Sequence, residues 1–248
     1  MSAPARTSER GPWRVEWFST LDSTNRYAAA AARAGAPDGL VVVADEQTAG
    51  RGRLGRIWEA PPGSSLLVSV LLRRSGDPAR TDEPGRVMMA AGVALVAAVD
   101  DVAGVDARLK WPNDLVVDDR KLAGLLAEVE GDALVVGAGC NVNWEAFPDE
   151  LAPTATACNL EAGHAVDRDA LLDAFLEQLT DSLAAGDALV DRYRERLATL
   201  GRNVRVEHVR DADFVGTAVG ITPEGALVVR DAAGNDHTVV AADIHHLR

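Results

Sequence analysis

Aromatic side chains are scarce in this chain, at 4% of 248 residues, so alanine, valine and leucine must fill most of any core. Cysteine is scarcer still: Cys140 and Cys158 are the only two, with no C-x-x-C spacing. One disulfide is conceivable, but two separate thiols of an intracellular protein is the simpler reading. No histidine cluster supports zinc. Basic charge is short as well, with 25 Lys and Arg against 38 Asp and Glu and a formal net charge of -13. Such a chain is a poor general binder of nucleic acid, which needs clustered lysine and arginine. Long apolar runs are missing too. The most apolar stretch, Val87 to Val99, is glycine-broken and shorter than the roughly 20 residues that span a bilayer. Residues 1–12 are polar, with two prolines and no apolar signal-peptide region. These absences point to a soluble, cytoplasmic protein that does not bind membranes.

What is present is ordinary for a globular protein: 47% hydrophobic and 25% charged residues. The length suits one sizeable domain and a small appendix. Residues 1–12 read as a flexible tail. Trp13, Val15 and Trp17 alternate as in a half-buried strand. Asp22-Ser23-Thr24 offers capping oxygens for an alanine-rich helix that should stop at Gly35, before Pro37. Leu40 to Ala44 and Ser65 to Leu72 read as strands, with a long loop from Glu46 to Gly63 between them. Arg86 to Asp100 reads as a helix. Strand pieces Arg108 to Trp111 and Leu115 to Val117 flank a Pro-Asn-Asp turn, and Leu122 to Glu130 and Ala133 to Asn141 form a hairpin about Gly131-Asp132. Pro148 to His164 reads as loop, and helices follow from Asp167 to Leu183 and from Asp187 to Leu200. After Gly201 come short strands divided by Asp, Gly and Pro: Val204 to His208, Phe214 to Ile221, Ala226 to Arg230 and Thr238 to Ala241. Turns at that spacing suggest a small barrel. The expected organisation is α+β, with a mixed-sheet catalytic domain over 13–200 and an all-β domain over 201–248.

The most informative stretch runs from Gln47 to Arg56. Arg51, Arg53 and Arg56 sit within six residues of an acidic chain, interleaved with Gly50, Gly52 and Gly55. Glycines let the backbone approach a ligand, and guanidinium forks suit carboxylate or phosphate. The loop is built for a small anion, or it is a flexible basic loop that has no ligand or grips nucleic acid. The formal G-x-G-x-x-G match is not a dinucleotide fingerprint, because Pro61, Pro62 and Gly63 follow where a helix would have to open. Kinase and Walker signatures are absent.

Five segments, in order, resemble biotin protein ligases: Asp22-Ser23-Thr24-Asn25, the Gln47–Arg56 loop with Trp58, Lys110-Trp111-Pro112-Asn113-Asp114, Arg120-Lys121-Leu122-Ala123-Gly124, and Gly137-Ala138-Gly139-Cys140-Asn141-Val142. The resemblance covers roughly residues 20 to 145, and the tail after Gly201 is similar to the family's small C-terminal barrel. It implies a catalytic domain of the class II aminoacyl-tRNA synthetase-like type that biotin and lipoate ligases share, followed by an SH3-like barrel. It further implies activation of biotin with ATP to biotinyl-AMP, with magnesium, then transfer to a lysine of the biotin carboxyl carrier domain of a carboxylase. Cys140 departs from the family, which usually carries an aliphatic residue there.

By the same resemblance Lys121 and Arg51 are the catalytic cations, although a solvated strand lysine is the ordinary fate of Lys121 without it. Biotin would be held by Ser23, Thr24, Asn25, Gln47, Gly50, Arg51, Gly52, Arg53 and Lys121. Compact amide and hydroxyl groups match a ureido ring's one acceptor and two donors, although Ser23 and Thr24 could simply cap the helix. The nucleotide would be held by Arg53, Arg56, Trp58, Lys110, Asn113, Asp114 and Asn141, with Asn141 reaching metal through phosphates and water. Core packing is the alternative for Trp58, and a turn the alternative for Asn113 and Asp114. Asp114 is a possible base for the second step, and the 50–56 loop is expected to be mobile without ligand. His245-His246 reads as solvated.

Some members of that family carry an N-terminal DNA-reading domain. Twelve residues before Trp13 are too few for one, so no repressor activity is expected. A lipoate–protein ligase and a non-catalytic biotin-binding module are the alternatives. The expected state is a monomer or a weak homodimer.

Overall fold

The computed structural model describes residues 3–73, 81–207 and 212–247. Eight strands build one sheet in the spatial order β1 (Arg6–Arg10), β2 (Trp13–Leu21), β3 (Leu40–Gln47), β4 (Ser65–Arg73), β8 (Ala133–Asn141), β7 (Arg120–Glu130), β6 (Asp114–Val117), β5 (Arg108–Lys110). Only the β2–β3 pair is parallel, so the sheet is mixed, as expected. The flexible tail expected over residues 1–12 is corrected by β1. This strand has no apolar residue of its own; it pairs with all of Trp13–Trp17. Arg6 lies 2.9 Å from Asp169, and Arg10 pairs with Asp173.

Alternation along the strands assigns the two faces. Val42 and Ala44 pack with Ala28, Ala31 and Ala32 of α1 (Thr24–Arg33), whereas Val41 and Val43 join the larger core of α2 (Pro84–Ala103), α4 (Arg168–Leu183) and α5 (Ala188–Arg196). Helix α1 ends before Gly35, whose φ of 85° only glycine adopts freely. The side-chain cap expected at its start is absent: Ser23 is the N-cap by position but its hydroxyl makes no cap bond. Asp167 does cap α4, accepting from the backbone of Asp169 and Ala170. Helix α2 is longer than expected at both ends, from Pro84 in its first turn to left-handed Gly104. A short helix, α3 (Cys158–Ala162), interrupts the loop expected over Pro148 to His164.

The C-terminal domain is an antiparallel five-stranded sheet in the order β12 (Asp236–Val239), β11 (Leu227–Asp231), β10 (Phe214–Ile221), β9 (Asn203–Glu207), β13 (Asp243–His246). Strand β13 was not read from the sequence, and His208, taken there as a strand end, lies outside the described residues. The domain is bolted to the large sheet. Trp111 donates from its backbone to Thr199 Oγ1 (3.1 Å) and from its indole to the Gly225 carbonyl (2.9 Å). The solvated reading of the terminal histidines holds for His245 alone. His246 has a side chain only 7% exposed, held between Asp119, Thr199 and Arg202. Among the described residues no helix is long and apolar enough to cross a membrane.

Candidate functional site

The cleft begins where one face of the sheet runs out of side chains. On the α1 face of β8, Ala133 and Val135 pack beneath the helix, and the next two residues on that face are Gly137 and Gly139. Gly139 sits opposite Gly124 of β7. A Cβ at Gly137 would collide with Asn25 Oδ1, and one at Gly139 would lie 2.6 Å from the Trp58 ring. The bare backbone is the floor of a cavity of about 230 Å³. Its walls are the start of α1, the arginine loop, the β5–β6 turn, Lys121, and residues 243–245 of β13.

One corner is polar, buried and built on regular elements. Gln47 Oε1 accepts from the Thr24 backbone (2.8 Å) and lies 3.0 Å from Thr24 Oγ1. Ser69, fully buried on β4, donates to Asn25 Oδ1 (2.6 Å) and sits 2.7 Å from Thr24 Oγ1. The Asn25 amide donates to Glu128 Oε2 (2.8 Å) and the Leu126 carbonyl (3.3 Å). Ser23, Thr24, Asn25 and Gln47 therefore all line the cleft, with Asn25 committed to protein partners on both ends of its amide. Ser69 and Glu128 were missed. A serine within the apolar run of β4 was the available signal for the first.

The arginine loop is a tight hairpin rather than an irregular loop. Arg51 bridges Ile57, the Gly50 carbonyl accepts from Trp58 (3.1 Å), and a 3-10 turn spans Arg53–Gly55. Gly50 does not line the cleft. It is glycine because a Cβ would strike the Trp58 carbonyl. Gly52, Arg51, Arg53, Arg56 and Trp58 do line it. Arg51 donates to Glu128 Oε2 (2.9 Å). Arg53 donates to Asn113 Oδ1 (3.2 Å) and lies 3.8 Å from Asp243, and Arg56 pairs with Asp243. Burial lowers the Arg53 pKa, partly offset by Asp243 and Asp114. The Trp58 indole nitrogen is buried without a partner, an open donor above the floor.

The opposite wall carries the amines. The sequence holds only two lysines, Lys110 and Lys121, and both line this cleft. The β6–β7 register shifts between Leu115 and Val116, so that Lys121 pairs with Val116, and such a bulge re-aims the side chain. Lys121 Nζ is 2.8 Å from Asp114 Oδ1 and 5.5 Å from the Trp58 ring centroid. Asn113 is partly a turn residue, donating to the Leu125 carbonyl (2.8 Å). Asn141 does not reach the cleft. It is buried at the end of β8 with its amide on the Thr156 carbonyl (3.0 Å), so its expected nucleotide and metal contacts are not what this geometry offers. Cys140 and Cys158 are both buried and free. The Cys158 thiol and burial push the Cys140 pKa well up, away from any nucleophilic role. Asp243, Ile244 and His245 had no signal near the cleft motifs, being supplied by a strand more than a hundred residues along the chain.

A cleft that gathers two lysines and three arginines beside a buried amide–hydroxyl corner is matched by known proteins. Residues 17–144 match the biotin/lipoate A/B protein ligase family, and residues 199–247 the biotin protein ligase C terminal domain. The chain is 37% identical to the biotin–[acetyl-CoA-carboxylase] ligase of Mycobacterium tuberculosis, over 95% of this chain and 90% of that one. It is 32% identical to the bifunctional ligase/repressor of Bacillus subtilis, over 88% of this chain and 70% of the relative. The fold matches the Aquifex aeolicus biotin protein ligase solved with biotin and ATP with a TM-score of 0.83 at 25% identity, covering 94% of this chain and 99% of that one. With both parts of the chain matched in order and the cleft motifs gathered at one place, the chain belongs to the biotin/lipoate A/B protein ligase family, as a biotin protein ligase.

Proposed function

We propose that this cleft activates biotin with ATP and passes it to a lysine of a biotin carboxyl carrier domain of a carboxylase. The observation that carries this reading is the placement of both lysines and the three loop arginines around one cavity of a chain with net charge -13. In the first step a biotin carboxylate oxygen attacks the α-phosphorus of ATP. The new P–O bond makes biotinyl-AMP, and the bond to the β-phosphate oxygen breaks to release pyrophosphate. Two anions must meet, and fixed cations facing the developing charge are the main means of lowering that barrier. Lys121 and Arg51 stand for this role, with Asp114 and the Trp58 face holding the Lys121 ammonium between them. The ureido ring fits the Ser23–Asn25 and Gln47 corner, and Arg53, Arg56, Lys110 and Asn113 face the nucleotide.

In the second step the carrier amine attacks the biotinyl carbonyl, an amide forms, and AMP leaves with the anhydride electrons. The incoming ammonium must first lose a proton, and Asp114 is the carboxylate beside Lys121 that can take it. Magnesium, held mainly by phosphate and water, needs few protein oxygens. Among the described residues no group of three acidic, histidine or cysteine side chains is placed to hold a metal ion, but Asp114 and Asp243 line the cleft and fit that sparse demand. Magnesium bound with ATP would neutralise phosphate charge. The same reading assigns the large domain to the class II aminoacyl-tRNA synthetase-like group and the five-stranded sheet to the SH3-like barrels, which its all-antiparallel pairing supports.

The test is transfer of labelled biotin to a purified carrier domain with ATP and magnesium. Wild type should transfer, free biotin and not lipoate should compete, and Lys121→Ala should lose about 100- to 1,000-fold in rate. Tight biotin binding without pyrophosphate release would instead make this a binding module.

A further inference from the structure

The polar corner and the arginine loop share a single atom. Glu128 Oε2 accepts from the Asn25 amide at 2.8 Å and from the Arg51 guanidinium at 2.9 Å. Asn25 is the end of a hydrogen-bonded series that runs back through buried Ser69 and Thr24 to Gln47. Every other member of that series sits on α1, β3 or β4, whereas Arg51 belongs to the loop hairpin. Glu128 itself is on β7, outside the cavity lining, and its side chain is 32% exposed. A carboxylate on strand β7 is thus the point where the buried corner takes hold of the loop arginine.

We propose that Glu128 is a positioning residue for the biotin site, an inference that rests on the biotin reading of the cleft. It holds Arg51 in place through one edge of the guanidinium, leaving its other donors for the substrate carboxylate. It also fixes the Asn25 amide, so that the ring corner and the carboxylate end keep a set separation. Without it, the loop arginine must be ordered by the ligand, and that entropy is subtracted from binding. Once biotin is bound, its own carboxylate holds Arg51. The effect of Glu128 therefore falls on KM for biotin and not on kcat.

The experiment measures biotin-dependent pyrophosphate release and equilibrium biotin binding by calorimetry, using the full chain. Glu128→Gln keeps an acceptor for Asn25 but loses the charge facing Arg51. For a partly exposed ion pair it should raise KM and Kd for biotin about two- to fivefold, with kcat and thermal midpoint unchanged. Glu128→Ala also strips Asn25 of its acceptor and should raise Kd about tenfold. In an Arg51→Ala background, Glu128→Gln should add nothing further to Kd, because the partner it served is gone. An unchanged KM in Glu128→Gln, a lowered KM, a loss in kcat alone, or an equal penalty with and without Arg51 would each overturn the proposal. If Glu128→Ala fails to fold, the glutamine variant and the cycle still decide. Wild type that binds no biotin would remove the reading of the cleft as well; wild type that binds while Glu128→Gln is silent removes only this inference.

Discussion

The two halves of the cleft are held by different physics. The ring corner is made of short side chains that are at most 5% exposed at Ser23, Thr24, Asn25 and Ser69, bonded to one another on helix and strand. The loop half is held by ion pairs of partly exposed side chains, Arg51 with Glu128 and Arg56 with Asp243, and its tip leaves Leu54 58% and Ile57 74% exposed. Buried neutral hydrogen bonds are costly to break, because each opened group stays unsatisfied. Exposed ion pairs are weak and exchangeable. The difference predicts a rigid template joined to a loop that adjusts, an arrangement suited to an enzyme that must admit two substrates and then shield an adenylate from water.

The sharpest way to break this comparison uses two glycines on one strand face. Gly137 faces Asn25 and Gly139 faces Trp58. A methyl at Gly137 meets a side chain whose amide is tied at both ends, to Ser69, Glu128 and the Leu126 carbonyl. Gly137→Ala should lower the thermal midpoint by several degrees, since overpacking costs about 1–3 kcal/mol, and weaken biotin binding about tenfold or more. Gly139→Ala meets an indole carried by the loop, which can lift away. Its midpoint should stay close to wild type, while the Trp58 fluorescence and the biotin-induced protection of the loop change. Equal destabilisation by the two would show that the loop is as rigid as the corner.

A gentler test addresses the lid alone. From the C-terminal domain, Asp243 pairs with Arg56 and lies 3.8 Å from Arg53, which also donates to the Ala242 carbonyl. Asp243→Asn should speed amide exchange of residues 51–57 in the unliganded protein about two- to fivefold, the size expected of an exposed pair, and leave exchange in α1 and β4 untouched. Exchange that slows, or that spreads to the ring corner, would mean the two halves are not mechanically separate.

The contrast also explains what could be read from the sequence. Strand β4, with all but its last residue buried, and the β7–β8 hairpin announced themselves through apolar runs and the Gly131-Asp132 turn, and Asp167 marked the start of α4. These features are local. The resemblance supplied the cleft motifs, because each motif is a contiguous segment. Partners contributed by distant strands left no such trace. Arg6–Arg10 looked like a tail, since its strand is held by backbone pairing and by Asp169 and Asp173, about 160 residues away. Glu128 looked like any charged residue on a half-exposed strand until Asn25 and Arg51 were brought to it. Asn141 shows the converse: a residue inside a matching motif whose amide is spent on the Thr156 carbonyl, while the glycines before it do the shaping.

The smallest expected effect concerns the joint that carries the lid's anchor. His246 faces Asp119, Thr199 and Arg202, with Lys110 nearby, and burial lowers its pKa despite the hydrogen bond to Asp119. Its unfolded value is about 6.5, so the unfolded chain takes up the proton first as pH falls. Stability from a neutral His246 is then complete above about pH 6.5 and is lost as pH drops through the folded value. The Asp119 carboxyl, held low first by the Arg202 hydrogen bond, titrates in a separate and more acidic window. Between pH 7.5 and 5.5 the thermal midpoint of wild type should therefore fall by about 2–4 °C for each kcal/mol lost, and His246→Gln should flatten that slope. An unchanged slope in the variant would place the pH sensitivity elsewhere in the molecule and leave β13 as a purely mechanical arm for Asp243.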